Sequence, residues 1–415
     1  MSAHCSAVRG FVNCRAGAAN GGKLRCCFCA RRGISAPLVI GLILSGITPV
    51  FGQEWRVQPS VTVGLVFNDN IDLTEADPKS STGTSVGFAV RAERSTERAS
   101  LGLLGALSWT TSSSDEQSDT PTGLLGFDLG YLTERSRFGL NTSFSTQSTR
   151  TSEETTTGLT DANGQQYRLN ISPSWSYLLS DRASIDLSFS SDYVFYDNVE
   201  GSGLSDYGTT VVSLGGRYQL TERANLNARV GYGLYGASDD DGETDGISAG
   251  IGAGYAISET LFLNFLVGLQ SSESTESGPN GGSVSRRSTS PTYTLSATKA
   301  LARGGGFSMS ATRSYAPSGT GVLDTTALNA AFRYPLSERW RLNLSGRVNR
   351  NRVPGAQQEQ DSDSYAASGA VRLSYQIRES LSLQLGYRYR WQEDEQARTS
   401  ADSNELSLNL AWQPF

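Results

Sequence analysis

The chain has 415 residues, 37% hydrophobic and 18% charged, with 45 Gly, 5 Cys and 1 His. The His and all the Cys precede residue 30 (His4, Cys5, Cys14, Cys26, Cys27, Cys29), which excludes His- and Cys-based catalysis, His or Cys metal sites and disulfides from Gln53 onward. Six of the 35 basic residues and none of the 41 acidic ones precede Gln53, so the remainder carries 29 against 41, a net −12 that argues against nonspecific nucleic-acid binding.

The N-terminal segment holds Arg9, Arg15, Lys23, Arg25, Arg31 and Arg32 without one acid. The apolar stretch GISAPLVIGLILSGITPVFG follows at 33–52. A basic region, an apolar core and small residues at the exit predict a secretory signal peptide over 1–52, cleaved near Gly52. A single membrane anchor is the alternative, but the stretch is short for a span and interrupted by Pro37, Gly41, Gly46 and Pro49. Arg31-Arg32 also suits a twin-Arg leader, though its flanking residues fit poorly. The Cys cluster leaves with the leader.

From Trp55 to the C-terminus, residues 53–415 repeat one design. Segments of roughly 10–14 residues alternate apolar and polar with period two, the pattern of a half-buried strand. Tyr167, Leu169, Ile171, Trp175 and Tyr177 alternate with Arg168, Asn170, Ser172, Ser174 and Ser176. Trp340, Leu342, Leu344 and Val348 do the same against Arg341, Asn343, Ser345 and Arg347. Leu381, Leu383, Leu385, Tyr387, Tyr389 and Trp391 alternate with Ser382, Gln384, Gly386, Arg388 and Arg390.

Short connections read Thr/Ser-Glu/Asp-Arg: Thr96-Glu97-Arg98, Thr133-Glu134-Arg135, Ser180-Asp181-Arg182, Thr221-Glu222-Arg223 and Ser337-Glu338-Arg339. A tyrosine precedes most of them: Tyr131, Tyr177, Tyr218, Tyr255, Tyr334 and Tyr375. Longer Gly/Ser/Asp-rich connections alternate with them, the longest at 272–287. Nine long loops and eight short turns predict eighteen strands, with 16–18 the favoured range. One hairpin per period of about 40 residues suits an up-and-down meander better than a propeller.

A soluble sandwich shares the alternation but has no need of aromatic residues at both ends of each apolar face; a lipid interface selects them. No apolar run of 18 residues occurs in the body, so helical spans are excluded. The expected fold is therefore all-β: a transmembrane antiparallel β-barrel, closed because an open edge in lipid leaves backbone groups unpaired. The aromatic stripe next to the short turns (Tyr131, Tyr177, Tyr218, Tyr255, Tyr334, Tyr375) is the expected interface girdle, and lipid and lipopolysaccharide the surrounding partners.

By phase, the polar face carries Arg56, Arg91, Arg137, Arg168, Arg217, Arg229, Arg333, Arg341, Arg347, Arg372, Arg388 and Arg390, against Glu93, Asp128, Asp186, Asp192 and Glu405. Arg168, Arg217, Arg229, Arg333, Arg341, Arg347, Arg372, Arg388 and Arg390 are the candidate pore-lining residues, suited to anions or polyanionic sugars because a guanidinium keeps its charge and forks onto carboxylate or phosphate. A structural reading stands beside it, in which these arginines pair with acids and hold the wall. The segment 247–255 presents Ser248, Gly250, Gly252 and Gly254 on the same phase, best read as a bend or close strand approach. The loop at 272–287 could fold inward and narrow the channel. Acidic runs (Asp115-Glu116, Asp239-Asp240-Asp241, Asp361, Asp363, Glu393-Asp394-Glu395) form a solvated rim or bridge divalent cations to lipopolysaccharide phosphates.

The opening stretch WRVQPSVTVGLVFNDNIDL, residues 55–73, has Pro59-Ser60 in its strand and an Asn68-Asp69-Asn70 turn ahead of Leu73. It resembles the outer-membrane β-barrel porin family of Gram-negative bacteria associated with exopolysaccharide and PEP-CTERM loci. The resemblance implies an outer-membrane channel linked to polysaccharide export, with polysaccharide-export components as partners, and carries no catalytic residues or cofactor. An alternating last strand (Leu406, Leu408, Leu410, Trp412) ending in Phe415 resembles the signal read by the outer-membrane insertion machinery. An enzyme is not expected, since no His is available as general base and no carboxylates pair persuasively. A structural or adhesive barrel acting through its acidic loops is the competing function.

Overall fold

A computed structural model of the chain describes residues 55–113, 121–149, 152, 164–199, 202–238, 243–277, 283–318, 321–352, 363–394 and 399–414. The expected leader at 1–52, Phe415 and the acidic residues at 115, 116, 119, 239–241, 361 and 395 lie outside the described residues.

Period-two alternation becomes eighteen antiparallel strands. The first six are β1 Arg56–Asn68, β2 Ser81–Ser95, β3 Ala99–Ser112, β4 Thr122–Leu132, β5 Ser136–Ser148 and β6 Gln165–Ser180. The next six are β7 Ala183–Asp197, β8 Tyr207–Gln219, β9 Ala224–Ala237, β10 Glu243–Ala256, β11 Leu261–Ser277 and β12 Ser283–Ala300. The last six are β13 Gly306–Ser318, β14 Gly321–Pro335, β15 Trp340–Arg352, β16 Asp363–Arg378, β17 Leu381–Asp394 and β18 Thr399–Trp412. Each strand pairs with its sequence neighbours, and β1 closes the sheet on β18 from Val61↔Trp412 to Asn68↔Glu405. The result is an up-and-down barrel with no open edge. One expectation is corrected: 272–277 and 283–287 are the outer parts of β11 and β12 rather than a loop folded inward.

The short turns have a chemical reason for their first residue. The Thr96 hydroxyl accepts from the amides of Arg98 (3.2 Å) and Ala99 (2.7 Å). Thr221 accepts from Arg223 (3.3 Å) and Ala224 (3.1 Å), and Ser337 from Arg339 (3.3 Å) and Trp340 (3.1 Å). A Ser or Thr at this position mimics a backbone acceptor and closes the reversal. Thr221→Ala is expected to cost about 1 kcal/mol, read as a lowered urea midpoint of the detergent-folded protein. Thr221→Ser should restore it; equal midpoints for Ala and Ser would show that the hydroxyl contributes nothing.

Cross-strand partners share a face, so the register assigns each side of the wall. One face carries Val63↔Leu410, Leu65↔Leu408, Val61↔Phe88, Phe127↔Leu103, Tyr131↔Phe138, Phe332↔Leu344 and Trp340↔Tyr375. Tyr131, Tyr177, Tyr218, Tyr255, Tyr334 and Tyr375 all stand on this face beside the short turns. Several pack on neighbouring rings, Trp340 tilted on Tyr375 at 4.6 Å and Phe332 stacked on Tyr334 at 6.0 Å between centroids. Exposed Trp109, Phe144, Tyr193, Tyr232 and Tyr389 mark the same face nearer the loops.

The other face is concave. Residues from β4 to β12, among them Arg137, Ser176, Asp186, Ser213, Arg217, Arg229, Asn264 and Thr294, border one cavity of about 850 Å³. The apolar face is therefore the outside. A closed antiparallel barrel of even strand number, apolar outside and banded with aromatics, is an outer-membrane barrel. Among the described residues no helix is long and apolar enough to cross a membrane.

Buried side chains do not form a core in the usual place. They collect in the loop-side half of the barrel and are mostly polar or small: Asn68, Asn70, Leu73, Tyr207, Ser318, Leu323, Thr325, Asn349, Asn351, Ala366, Arg390, Ala401 and Ser403. The short-turn half is open.

Candidate functional site: the barrel interior

All twelve phase-assigned arginines fall on the concave face. Arg56 pairs with Glu93 and Gln58 with Arg91 across β1–β2. Arg137, Arg168, Arg217 and Arg229 sit opposite Ser176, Ser145, Asn227 and Gly215. Arg333 and Arg372 both face Asn343, Arg341 faces Ser374, and Arg347 and Arg390 both face Ser368. Arg388 lies between Ala370 and Glu405.

The two sides of the interior differ in how this charge is balanced. On β1–β8 acids stand among the arginines. The Arg91–Glu93 contact is 2.5 Å and the Arg168–Asp192 contact 2.7 Å. Asp186 borders the same cavity as Arg137, Arg217 and Arg229. On β14–β17 the concave positions from Arg341 up to Arg390 hold six arginines and no acid; Asp394 lies beyond them at the loop end. Glu405 approaches this group from β18. A second cavity, of about 580 Å³, is bordered by Arg333, Asn343, Arg372, Gly386, Arg388 and Glu405.

The concave positions of β10 from Ser248 to Gly254 form a bare stretch, with Gly268 of β11 opposite Gly250. A side chain at Gly252 would meet the Phe265 carbonyl oxygen at 2.1 Å, and one at Gly268 the Ala249 carbonyl oxygen at 2.2 Å. Backbone approach, rather than room for a solute, requires glycine there.

Among the described residues, two segments reach across the loop side, and neither had a periodic signal. The first is the connection 69–80. Asp69 accepts from the backbone amide (2.7 Å) and side-chain amide (2.8 Å) of Asn404. Asn70 donates to the carbonyls of Thr74 (2.8 Å) and Asp402 (2.9 Å), and Gln392, on the concave face of β17, donates to the Leu73 carbonyl (3.1 Å). Asn68 accepts from Ser403, and Ser403 accepts in turn from Arg390, which is only 8% exposed. Arg390 thus stands where this loop rests on the wall, not in the open channel expected of it. The second segment is the loop-side end of β13. β13 leaves β12 after Tyr293↔Arg313, and the Ser318 carbonyl accepts from Tyr235 of β9 at 3.0 Å, across the interior.

Among the described residues no group of three or more His, Cys, Asp or Glu side chains is gathered to hold a metal. The charged rim residues Asp324 and Asp363 are engaged by Arg313 (2.8 Å) and Arg350, on the outer face.

No protein-family model and no curated protein matches the chain. Among solved structures, it is similar to Pseudomonas aeruginosa OpdQ, at 13% identity over 87% of this chain and 100% of that one, with a TM-score of 0.43. It is also similar to P. aeruginosa OccK5 (OpdH), at 10% identity over 86% and 98% with a TM-score of 0.42. The copper transporter OprC is similar at 12% identity and a TM-score of 0.39; 85% of this chain covers 65% of OprC, less than two thirds of its length.

Proposed function

We propose that this barrel is an outer-membrane channel whose open, short-turn half favours anionic solutes, in a role tied to exopolysaccharide export. The observation that carries it is the run of arginines below the buried Arg390 on β14–β17, namely Arg341, Arg333, Arg372, Arg388 and Arg347, without an interposed acid. An eighteen-stranded barrel is wide enough to leave an aqueous passage, and the open cavities lie beside these arginines. One charge about 7 Å from the path of an ion is worth about 0.6 kcal/mol in a water-like dielectric, roughly threefold in occupancy.

The test is reconstitution in a planar bilayer under a KCl gradient. A reversal potential of anion-selective sign is expected, and Arg341→Gln with Arg372→Gln should move it toward zero. A cation-selective potential, or one that ignores the double variant, overturns the reading. The structural-barrel alternative draws on one observation, the packed loop side. It predicts a bilayer that stays silent at every voltage.

A further inference from the structure

We infer that the β14–β17 wall is a track for a linear polyanion, such as an acidic polysaccharide, rather than a general anion-attracting surface. This rests on the channel reading but concerns binding, so the two can fail separately.

The six arginines fall in four successive rows. Arg341 forms the first, at the short-turn rim, level with Ser374 and Gln384. Arg333 and Arg372 form the second, on either side of Asn343, whose side-chain oxygen accepts from the Arg333 Nε at 3.2 Å. Arg388 forms the third, with Ala370 and Ser345 beside it. Arg347 and Arg390 form the fourth, on either side of Ser368. Rows two residues apart on a strand lie about 7 Å apart, so the series rises about 20 Å along one wall.

Three features select a chain over a small anion. The positions between the rungs are Ala331, Ser345, Ser368, Ala370 and Gly386, which let a polymer lie close to the backbone. The exposure grades from Arg341, Arg333 and Arg372 in the open to half-buried Arg388 and Arg347 and then buried Arg390. That places an entrance at the short-turn side and the last rung under the first loop. On the facing walls Glu93, Asp128, Asp186 and Asp192 stand among the six arginines of β1–β9, so a multiply charged chain is held more strongly to the β14–β17 side. Guanidinium groups fork onto carboxylates, which fits repeated uronate-like units. Glu405, opposite Arg388, is an acid that competes for a rung.

Isothermal titration of the detergent-folded full chain with galacturonate oligomers of two, four and six units tests this without needing conductance. Affinity should rise about threefold per added carboxylate up to about four and then level off, while a neutral maltohexaose shows no binding. Arg372→Gln with Arg388→Gln should flatten the length dependence, Arg372→Lys with Arg388→Lys should keep most of it, and Glu405→Gln should tighten binding about threefold. Arg137→Gln with Arg217→Gln, on the opposite wall, should leave the length dependence in place. Heat-modifiable migration on gels checks that each variant is folded. Equal affinity at all lengths, or a length dependence that survives Arg372→Gln with Arg388→Gln, overturns the track. Anion selectivity in bilayers together with length-independent binding would leave the channel and remove the track.

Discussion

Asn70→Ala is expected to free the first loop from the wall without unfolding the barrel. The Asn70 side chain is 6% exposed and makes three hydrogen bonds, to the Thr74 and Asp402 carbonyls and from the Thr74 amide. Alanine leaves those backbone groups without their partner in a closed place, at roughly 1–3 kcal/mol for each one that water cannot reach. The loop has little reserve to absorb this. Leu73 sits at φ 51° and Asp77 at φ 59°, conformations that side-chain-bearing residues hold only when their surroundings fix them. Losing the Asn70 contacts should release Leu73, and with it the Gln392 contact above Arg390. The strand ladder does not depend on any of these bonds, so heat-modifiable migration should be unchanged. Hydrogen exchange at 69–80 and 399–404 should accelerate by at least about tenfold, the equivalent of 1.4 kcal/mol. Exchange that stays as slow as in the parent chain would show that the loop is held by something other than this latch. Asp69→Asn is a milder companion: it keeps one acceptor for Asn404 and should fall between the two.

This latch also explains which parts of the molecule were legible from the sequence. Strand phase was plain because one face meets lipid and the other meets water or polar groups, so the solvents write alternation into the residues. Turn count was plain because a Ser or Thr at the start of a short reversal has a backbone amide to accept. Both are local, and both led to the eighteen-strand barrel. The contacts that close the loop side are not local. Asn70 reaches Asp402 across 332 residues of sequence, and Tyr235 reaches Ser318 across 83. No spacing within a segment encodes them, although the Asn68-Asp69-Asn70 turn that stood out in the sequence proves to be their anchor. The outer parts of β11 and β12 were hidden for a different reason. Beyond the lipid both faces of a strand meet water, so Ser272–Thr275 and Ser285–Arg287 lose alternation and read as loop. The position of Arg390 was legible as a face but not as an environment, since burial depends on what the first loop does.

Gly268→Ala and Gly252→Ala carry the largest expected cost in the wall. Where nothing crowds the position, exchanging a strand glycine for alanine gains stability, because glycine surrenders more freedom on folding, by roughly 0.5–1 kcal/mol. Gly369 shows that ordinary case: a side chain there meets nothing within 4 Å. At Gly268 the added carbon would lie 2.2 Å from the Ala249 oxygen and 2.9 Å from the Gly250 Cα, and at Gly252 2.1 Å from the Phe265 oxygen and 2.9 Å from the Leu266 Cα. All four are backbone atoms that also carry the β10–β11 ladder, from Ala249↔Leu269 to Ala253↔Phe265. Relief therefore means separating two hydrogen-bonded strands, not turning a side chain. Overpacking of this kind costs about 1–3 kcal/mol or more. In a closed barrel the damage cannot be confined to an edge, because every strand is needed for closure. Gly268→Ala and Gly252→Ala should thus lower the folded fraction on refolding into detergent, while Gly369→Ala should hold or slightly raise it. If all three behave alike, the close approach of β10 and β11 is not what sets these glycines, and the bare stretch they form becomes available again as part of the passage.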